Sequence, residues 1–302
     1  MLRETYKRET YKYETTNGIY SYIIENNKVS ITSYEGNTTS LPIPHQIAEI
    51  PVGRIDRKAF MGNRYLQHIT LPDSIEQIGD WAFSRCNTLQ TVVLPNRELS
   101  IGKQVFQKSE SLSEITFPGC RPGLAKLLAA SVTMLDVEYL LNPEQAGKEK
   151  WYQNFDNRML TVLKESEENA LKNLVYCAEE DMCGKQADCI RRQSYEKARL
   201  ALHRLTYDDG LSEEVRKYLT EYVRQRTVGC ADESVWKVVK DEITEQKAYC
   251  EVLVSLNALH ENNFDEALED LDENHIELKA FLMQKWQERN AESNVWDTLS
   301  LE

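Results

Sequence analysis

The sequence predicts an α+β chain in which a short β-solenoid is followed by an all-α antiparallel helical array, and three observations carry that prediction. The first is a period. Isoleucine recurs at Ile55, Ile78 and Ile101, phenylalanine at Phe60, Phe83 and Phe106, and leucine at Leu66, Leu89 and Leu112, each at a step of 23 residues. The same step links Ile69, Val92 and Ile115, then Leu71, Leu94 and Phe117, then Pro72, Pro95 and Pro118. Columns held in step over whole units, with a period of about 20 to 29 residues and leucine-type spacing, describe a solenoid in which each unit buries its apolar face on its neighbours. The second observation is a change of composition: from Trp151 onward glycine becomes rare, proline vanishes and apolar residues fall at helical spacing. The third is charge. Residues 1–134 carry 15 basic and 13 acidic groups (+2), so of the 36 and 49 in the whole chain residues 135–302 hold 21 and 36 (−15).

The chain opens on a small duplication, Arg3 to Lys7 followed by Arg8 to Lys12, which reads as a frayed terminus. From Tyr11 to Thr32 it alternates as a β-ribbon, divided by the turn formers Asn17-Gly18 and Asn26-Asn27, because Asn and Gly accept positive φ. A ribbon here suits the polar cap that the end of a solenoid requires. Ile43 to Ile55 reads as a first, longer repeat, after which the units are of equal length. Asn63, Cys86 and Ser109 share one column, where small polar or thiol groups can satisfy backbone left unpaired as each coil turns.

Pro118 to Gly123 breaks the period, Leu124 to Leu141 is apolar enough to plug the open end, and Asn142-Pro143 restarts the chain. The expected organisation is therefore a β-ribbon cap over residues 1–42, repeats over 43–118, an end plug and linker over 119–150, and an acidic helical domain over 151–302. Ala198, Leu202 and Leu205, then Val235, Val239 and Ile243, then Phe264, Leu268 and Leu271, then Leu278, Leu282 and Trp286 mark apolar helix faces. Breaks are expected at Gly184, Asp208-Asp209-Gly210, Gly229 and Glu261-Asn262-Asn263, with ankyrin-like or HEAT-like pairing of helices near the end.

The unit that runs from Leu71-Pro72 through Ile75, Ile78-Gly79, Ala82-Phe83 and Cys86 to Leu89 and Val92 resembles the BspA-type leucine-rich repeat of bacterial proteins, and the likeness covers roughly residues 11–118. The unit with Glu98-Leu99 and Val105 departs from it in detail. The resemblance implies a leucine-rich-repeat β-solenoid that serves as an adhesion or protein-binding module. Three regular units are few for a long adhesive stalk. The helical tail is similar to C-terminal regions attached to some bacterial proteins of this type.

Catalytic chemistry has no motif to stand on. The five histidines never fall at a His-Glu-x-x-His spacing, and no Gly-x-Ser-x-Gly, phosphate-binding glycine loop or dinucleotide fingerprint occurs. Cys177, Cys183 and Cys189 are six apart, whereas zinc knuckles space their ligands by two to four residues or so. Glu179, Glu180 and Asp181 read as a solvated helix end, and Asp208-Asp209-Gly210 as a turn more than a fragment of a calcium loop. No catalytic residue, metal or cofactor is expected. The alternative is an enzyme with its site at a cleft between the two domains, where clefts commonly form.

The acidic second half disfavours nucleic acid as a partner. The longest apolar run, Leu124 to Leu135, is short and interrupted by Lys126, so no membrane span is expected. Seven scattered cysteines and an N-terminus without an apolar leader favour the cytoplasm, with a surface location if a leader preceded the numbered chain. The expected function is non-enzymatic protein interaction, with the helical domain as a second interaction or oligomerisation surface. If Leu89, Val92 and Leu94 point inward, the outward strand positions are Gln90, Thr91 and Val93, with Gln67, His68 and Thr70 in the unit before and Ser113, Glu114 and Thr116 in the unit after. These nine residues form the candidate binding face for an unidentified protein partner.

Overall fold

The computed structural model describes residues 9–165, 186–231 and 233–299, and the chain divides into two compact units between Phe155 and Asp156. The first unit opens on the antiparallel ribbon β1 (Tyr11–Thr15), β2 (Gly18–Glu25) and β3 (Lys28–Glu35), its second turn made by Asn26 and Asn27 at φ 50° and 60°. There follow β4 (Ser40–Pro42), β5 (Gln46–Ile47) and β6 (Ile50–Ile55), and then short strands in alternation: β7 (His68–Thr70), β8 (Gln77–Ile78), β9 (Thr91–Val93), β10 (Ser100–Ile101) and β11 (Glu114–Thr116).

Alternate strands build two sheets. One runs β1-β2-β3-β6-β8-β10, with β5 pairing β6 antiparallel, and is parallel from β3 onward; the other is the parallel sheet β11-β9-β7-β4. The result is a β-solenoid of about four turns, and the ribbon is joined to it because β3 pairs directly with β6. The 23-residue columns are its core. Ile55, Ile78, Ile69, Val92 and Ile115 are all essentially solvent-free, and Tyr34, Phe60, Phe83 and Phe106 form a stack with ring centroids 5.4, 5.1 and 5.5 Å apart in succession.

The turn column behaves as its chemistry requires. Asn63 Oδ1 accepts from the Leu66 amide at 2.9 Å, Cys86 Sγ donates to the Phe60 carbonyl at 3.1 Å, and Ser109 Oγ donates to the Phe83 carbonyl at 2.8 Å while accepting from the Cys86 amide. Between Gly79 and Gly102 adjacent coils approach closely. A Cβ at either would lie 2.6 Å from a backbone nitrogen of the preceding coil, Arg57 N or Asp80 N, so only glycine fits.

Helix α1 (Pro122–Thr133) starts with Pro at its first turn, where a missing N–H costs nothing, and packs its Leu124, Leu127 and Leu128 face against the β11 end of the solenoid. A 3-10 turn over Glu138–Leu141 follows, and the Leu140 carbonyl accepts from Trp151 Nε1 at 2.7 Å. Trp151 lies in the first turn of helix α2 (Glu149–Lys164), within which the division between the units falls, and Trp151, Phe155, Asp156 and Met159 are all buried.

The second unit continues with α3 (Gln186–Thr206), α4 (Glu213–Gln225), α5 (Ser234–Asp241), α6 (Gln246–Ser255), α7 (Glu261–Glu269) and α8 (Ile276–Leu299). Helix α3 packs against α4, α5 and α6, and α6 packs against α8. Ala198, Leu202 and Leu205 of α3 are buried, as the helical spacing implied. Arg204 is fully buried and makes a two-pronged pair with Asp156 at 2.7 and 3.3 Å, and it donates to the Tyr207 and Asp209 carbonyls at 2.6 and 3.1 Å. Asp208-Asp209-Gly210 is thus a turn, held by Arg204 and by an Asp208–Arg216 ion pair.

Two expectations fail here. Glu261-Asn262-Asn263 is not a break but the first turn of α7: Asn263 Oδ1 accepts from the His260 amide at 2.8 Å, so the asparagine closes the helix start instead of turning the chain. Ile243 does not continue the Val235 and Val239 face. Helix α5 ends at Asp241, and Ile243 is 80% exposed.

Candidate functional site

The second sheet supplies the candidate site. Its parallel register sets Ser40, His68, Thr91 and Glu114 in one row, Leu41, Ile69, Val92 and Ile115 in the next, and Pro42, Thr70, Val93 and Thr116 in a third. The middle row is buried at 0–1% exposure, so pleating sends the other two outward. His68 and Thr70 are exposed, while Thr91, Val93, Glu114 and Thr116 are half-buried. The structure therefore brings six of the nine expected residues onto the strands as two outward rows, with neighbours about 4.8 Å apart.

The other three, Gln67, Gln90 and Ser113, stand one residue before the strands, with Gln67 half-buried and the other two exposed. Their backbone clamps the coils together. The Gln67 carbonyl accepts the Gln90 and Thr91 amides at 2.8 and 3.0 Å, and the Gln90 carbonyl accepts those of Ser113 and Glu114 at 3.0 and 3.1 Å. Thr39 plays the same part for Gln67 and His68. Ser113 Oγ also turns back onto the Gln90 carbonyl at 3.3 Å.

Sequence reasoning missed a fourth strand of this face. Ser40 and Pro42 extend both outward rows, but Leu41 pairs with Ile69 at a separation of 28 residues, so the 23-residue column that betrays the other strands does not reach it. At the opposite edge Glu114 pairs with Lys126 of α1 at 3.4 Å, which ties that end of its row to the helix.

Nucleophilic chemistry finds no support among the described thiols. Burial pushes the Cys86 thiol up to about 11 and the Cys230 and Cys250 thiols up to about 12, away from the thiolate that reacts. His203 is buried with its Nδ1 at 3.1 Å from the Tyr249 hydroxyl, and Tyr207 donates to Glu245. Among the described residues no group of three or more His, Cys, Asp and Glu is arranged to hold a metal ion, and no helix is long and apolar enough to cross a membrane. Cys177 and Cys183, with Glu179, Glu180, Asp181 and Gly184, lie outside the described residues, as does the side chain of Cys189.

Two-sheet coils with a 23-residue step, an isoleucine and leucine core and a phenylalanine stack mark this part of the chain as a leucine-rich-repeat region. Residues 30–121 match the BspA type leucine rich repeat region in six copies. Solved structures similar to the chain include a leucine rich repeat protein of T. pallidum at 32% identity, covering 35% of this chain and 49% of that one with a TM-score of 0.31. A leucine rich cell surface protein of Faecalibacterium prausnitzii is 26% identical, over 36% of this chain and 33% of its own, at 0.31. A leucine-rich repeat protein of Bacteroides capillosus is 21% identical, over 36% of this chain and 99% of its own, at 0.28. The chain thus spans about half the length of the first of these and a third of the second. No curated protein matches it.

Proposed function

We propose that the protein is a non-enzymatic interaction module that holds a protein partner on the outward rows of its second sheet. Leucine-rich repeats of this type are protein-interaction modules in general, and the observation that carries the reading for this chain is the register. Four parallel strands align Ser40, His68, Thr91 and Glu114, and Pro42, Thr70, Val93 and Thr116, into a continuous strip. Gln67, Gln90 and Ser113 border it. The strip is mixed in polarity, with hydroxyls, one imidazole and one valine, which suits a protein surface better than an apolar ligand or a phosphate backbone. The acidic helical unit would supply a second interaction or oligomerisation surface. Cys86, Cys120, Cys230 and Cys250 are free thiols, which suits a cytoplasmic location, with the cell surface as the alternative.

The test spares Glu114, because its pairing with Lys126 holds α1. Replacing His68 by Glu together with Thr70 and Thr91 by Arg should abolish capture of the partner from the source cell while leaving the circular dichroism spectrum and melting temperature unchanged. Capture that survives this change but disappears when the helical unit is altered would move recognition to the acidic half.

A further inference from the structure

The first sheet also has an outward row, and it is built differently. Register sets Ser30 beside Arg54, Arg54 beside Gln77 and Gln77 beside Ser100, and a groove of about 380 Å³ lies over this row, walled by Glu25, Lys28 and Glu76. We propose that this groove is a binding site for a carboxylate, carried either by a small free acid or by a peptide C-terminus.

Two buried donors motivate it. Ser30 is only 3% exposed, lines the groove, and its Oγ has no hydrogen-bond partner. Arg54 places Nη2 on Asp56 at 3.1 Å, yet its Nε is buried without a partner. Buried polar groups are almost always satisfied, so two orphans on adjacent strands mark a place where an acceptor belongs. Strand neighbours lie about 4.8 Å apart, a span that the two oxygens of one carboxylate can serve, and a guanidinium with a carboxylate is among the strongest of hydrogen-bonding pairs.

The walls are constructed for the purpose. Val29 pairs with Val52 and Ser30 with Arg54, so Gly53 is an extra, bulged residue. A Cβ there would fall 2.8 Å from Lys28 Cδ. Its absence lets the Lys28 side chain cross the strand to pair with Glu76, which also receives Arg97 at 3.4 Å. Lys28 and Glu76 are thereby paired with one another, and the buried donors of the groove left without a partner are those of Ser30 and Arg54. The side chains of the row are polar, and the volume sits near the small end of the roughly 300–1,000 Å³ typical of ligand pockets. Strand addition at β6 is excluded, since that strand is paired on both sides, with β3 and with β8.

The full chain is titrated with sodium acetate while the Arg54 Nε–H resonance is followed, with sodium chloride at matched ionic strength and acetamide as controls. A saturable shift in the millimolar range is expected, about what four non-hydrogen atoms can supply, with none from acetamide. A dipeptide acid that binds more tightly than acetate while its C-terminal amide does not bind assigns the site to a peptide terminus; equal binding of acid and acetate assigns it to a small free acid. Arg54→Gln should weaken acetate roughly tenfold or more. Ser30→Ala is the sharper variant, because removing an unpartnered buried hydroxyl should leave the melting temperature unchanged or raise it, yet weaken acetate by roughly tenfold. A lowered melting temperature in Ser30→Ala, unaltered acetate binding in either variant, or an equal response to acetamide overturns the proposal.

Discussion

The two units solve the same problem, burying enough surface to hold a chain in place, by opposite means. In the solenoid each contact is made several times over: Phe83 stacks on Phe60 and Phe106, which stand at the same position of the neighbouring coils, and Ile78 pairs with Ile55 and Ile101 in the same way. In the helical unit the decisive contacts occur once. Arg204 meets Asp156 across 48 residues, Trp236 Nε1 donates to Asp270 across 34 at 2.7 Å, and Phe264 stacks on Trp286 at 4.2 Å. Repetition fixes each position from both neighbouring coils, while a single contact is fixed by one partner, so the two halves should respond differently to the loss of one side chain.

The largest effect is expected in the stack. Phe83→Ala removes an aromatic ring that is fully buried and sandwiched at 5.1 and 5.5 Å, and the coils cannot collapse around the gap because their backbones are fixed by hydrogen bonds to both neighbours. The cost should be about 3 to 5 kcal/mol, measured by urea unfolding. A loss below about 1 kcal/mol, the average for any point change, would overturn the view that neighbouring coils hold the cavity open.

The next effect tests the single contact. Asp156→Ala takes the carboxylate from the buried Arg204 guanidinium, which keeps its bonds to the Tyr207 and Asp209 carbonyls, and should cost about 3 kcal/mol, near the lower end for breaking a buried pair. Adding Arg204→Met should recover most of the loss, because removing both charges abolishes the desolvation penalty along with the attraction. If the double variant is no more stable than the single one, the pair is not the isolated joint that the comparison makes it.

The same contrast governs what could be read from the sequence. The solenoid announced itself because identical environments call for the same residue types at a fixed step. Where an environment does not impose a residue type, the signal vanished. Lys58, Trp81 and Gln104 share a column with φ between 52° and 61°, as do Arg85 and Lys108 at 59°, yet among these left-handed columns only Gly62 carries the residue that usually marks them. Strand β4 escaped because 28 residues, not 23, separate Leu41 from Ile69. In the helical unit apolar spacing located the faces of α3 and α8, but a capping asparagine at Asn263 read as a turn, and no local pattern announces that Arg204 has its partner in another helix. Of the candidate strip, the periodic rows were legible and the strand that completes them was not. The groove over Ser30 and Arg54 depends on a bulge at Gly53, which only pairing reveals.

The smallest expected effect lies where the repeat is decorated by a single ion pair. Glu76 accepts from Lys28, and this hydrogen bond, with the charges of Lys28 and Arg97, holds its carboxyl below the usual carboxylate value. A depressed folded value means the unfolded chain binds the proton more readily, so the pair stabilises the fold above the unfolded carboxylate value of about 4.3, and that contribution is lost as pH falls through the folded value. Because the Glu76 side chain is 44% exposed, solvent screens the pair and its worth should stay below about 1 kcal/mol. Comparing wild type with Glu76→Gln in urea melts from neutral pH down to about pH 3 should give a difference that is flat above about pH 5, shrinks below pH 4 or so, and falls with added salt. A difference that grows on acidification would mean Glu76 is protonated more readily in the folded state, and would remove Lys28 as the fixed wall of the groove.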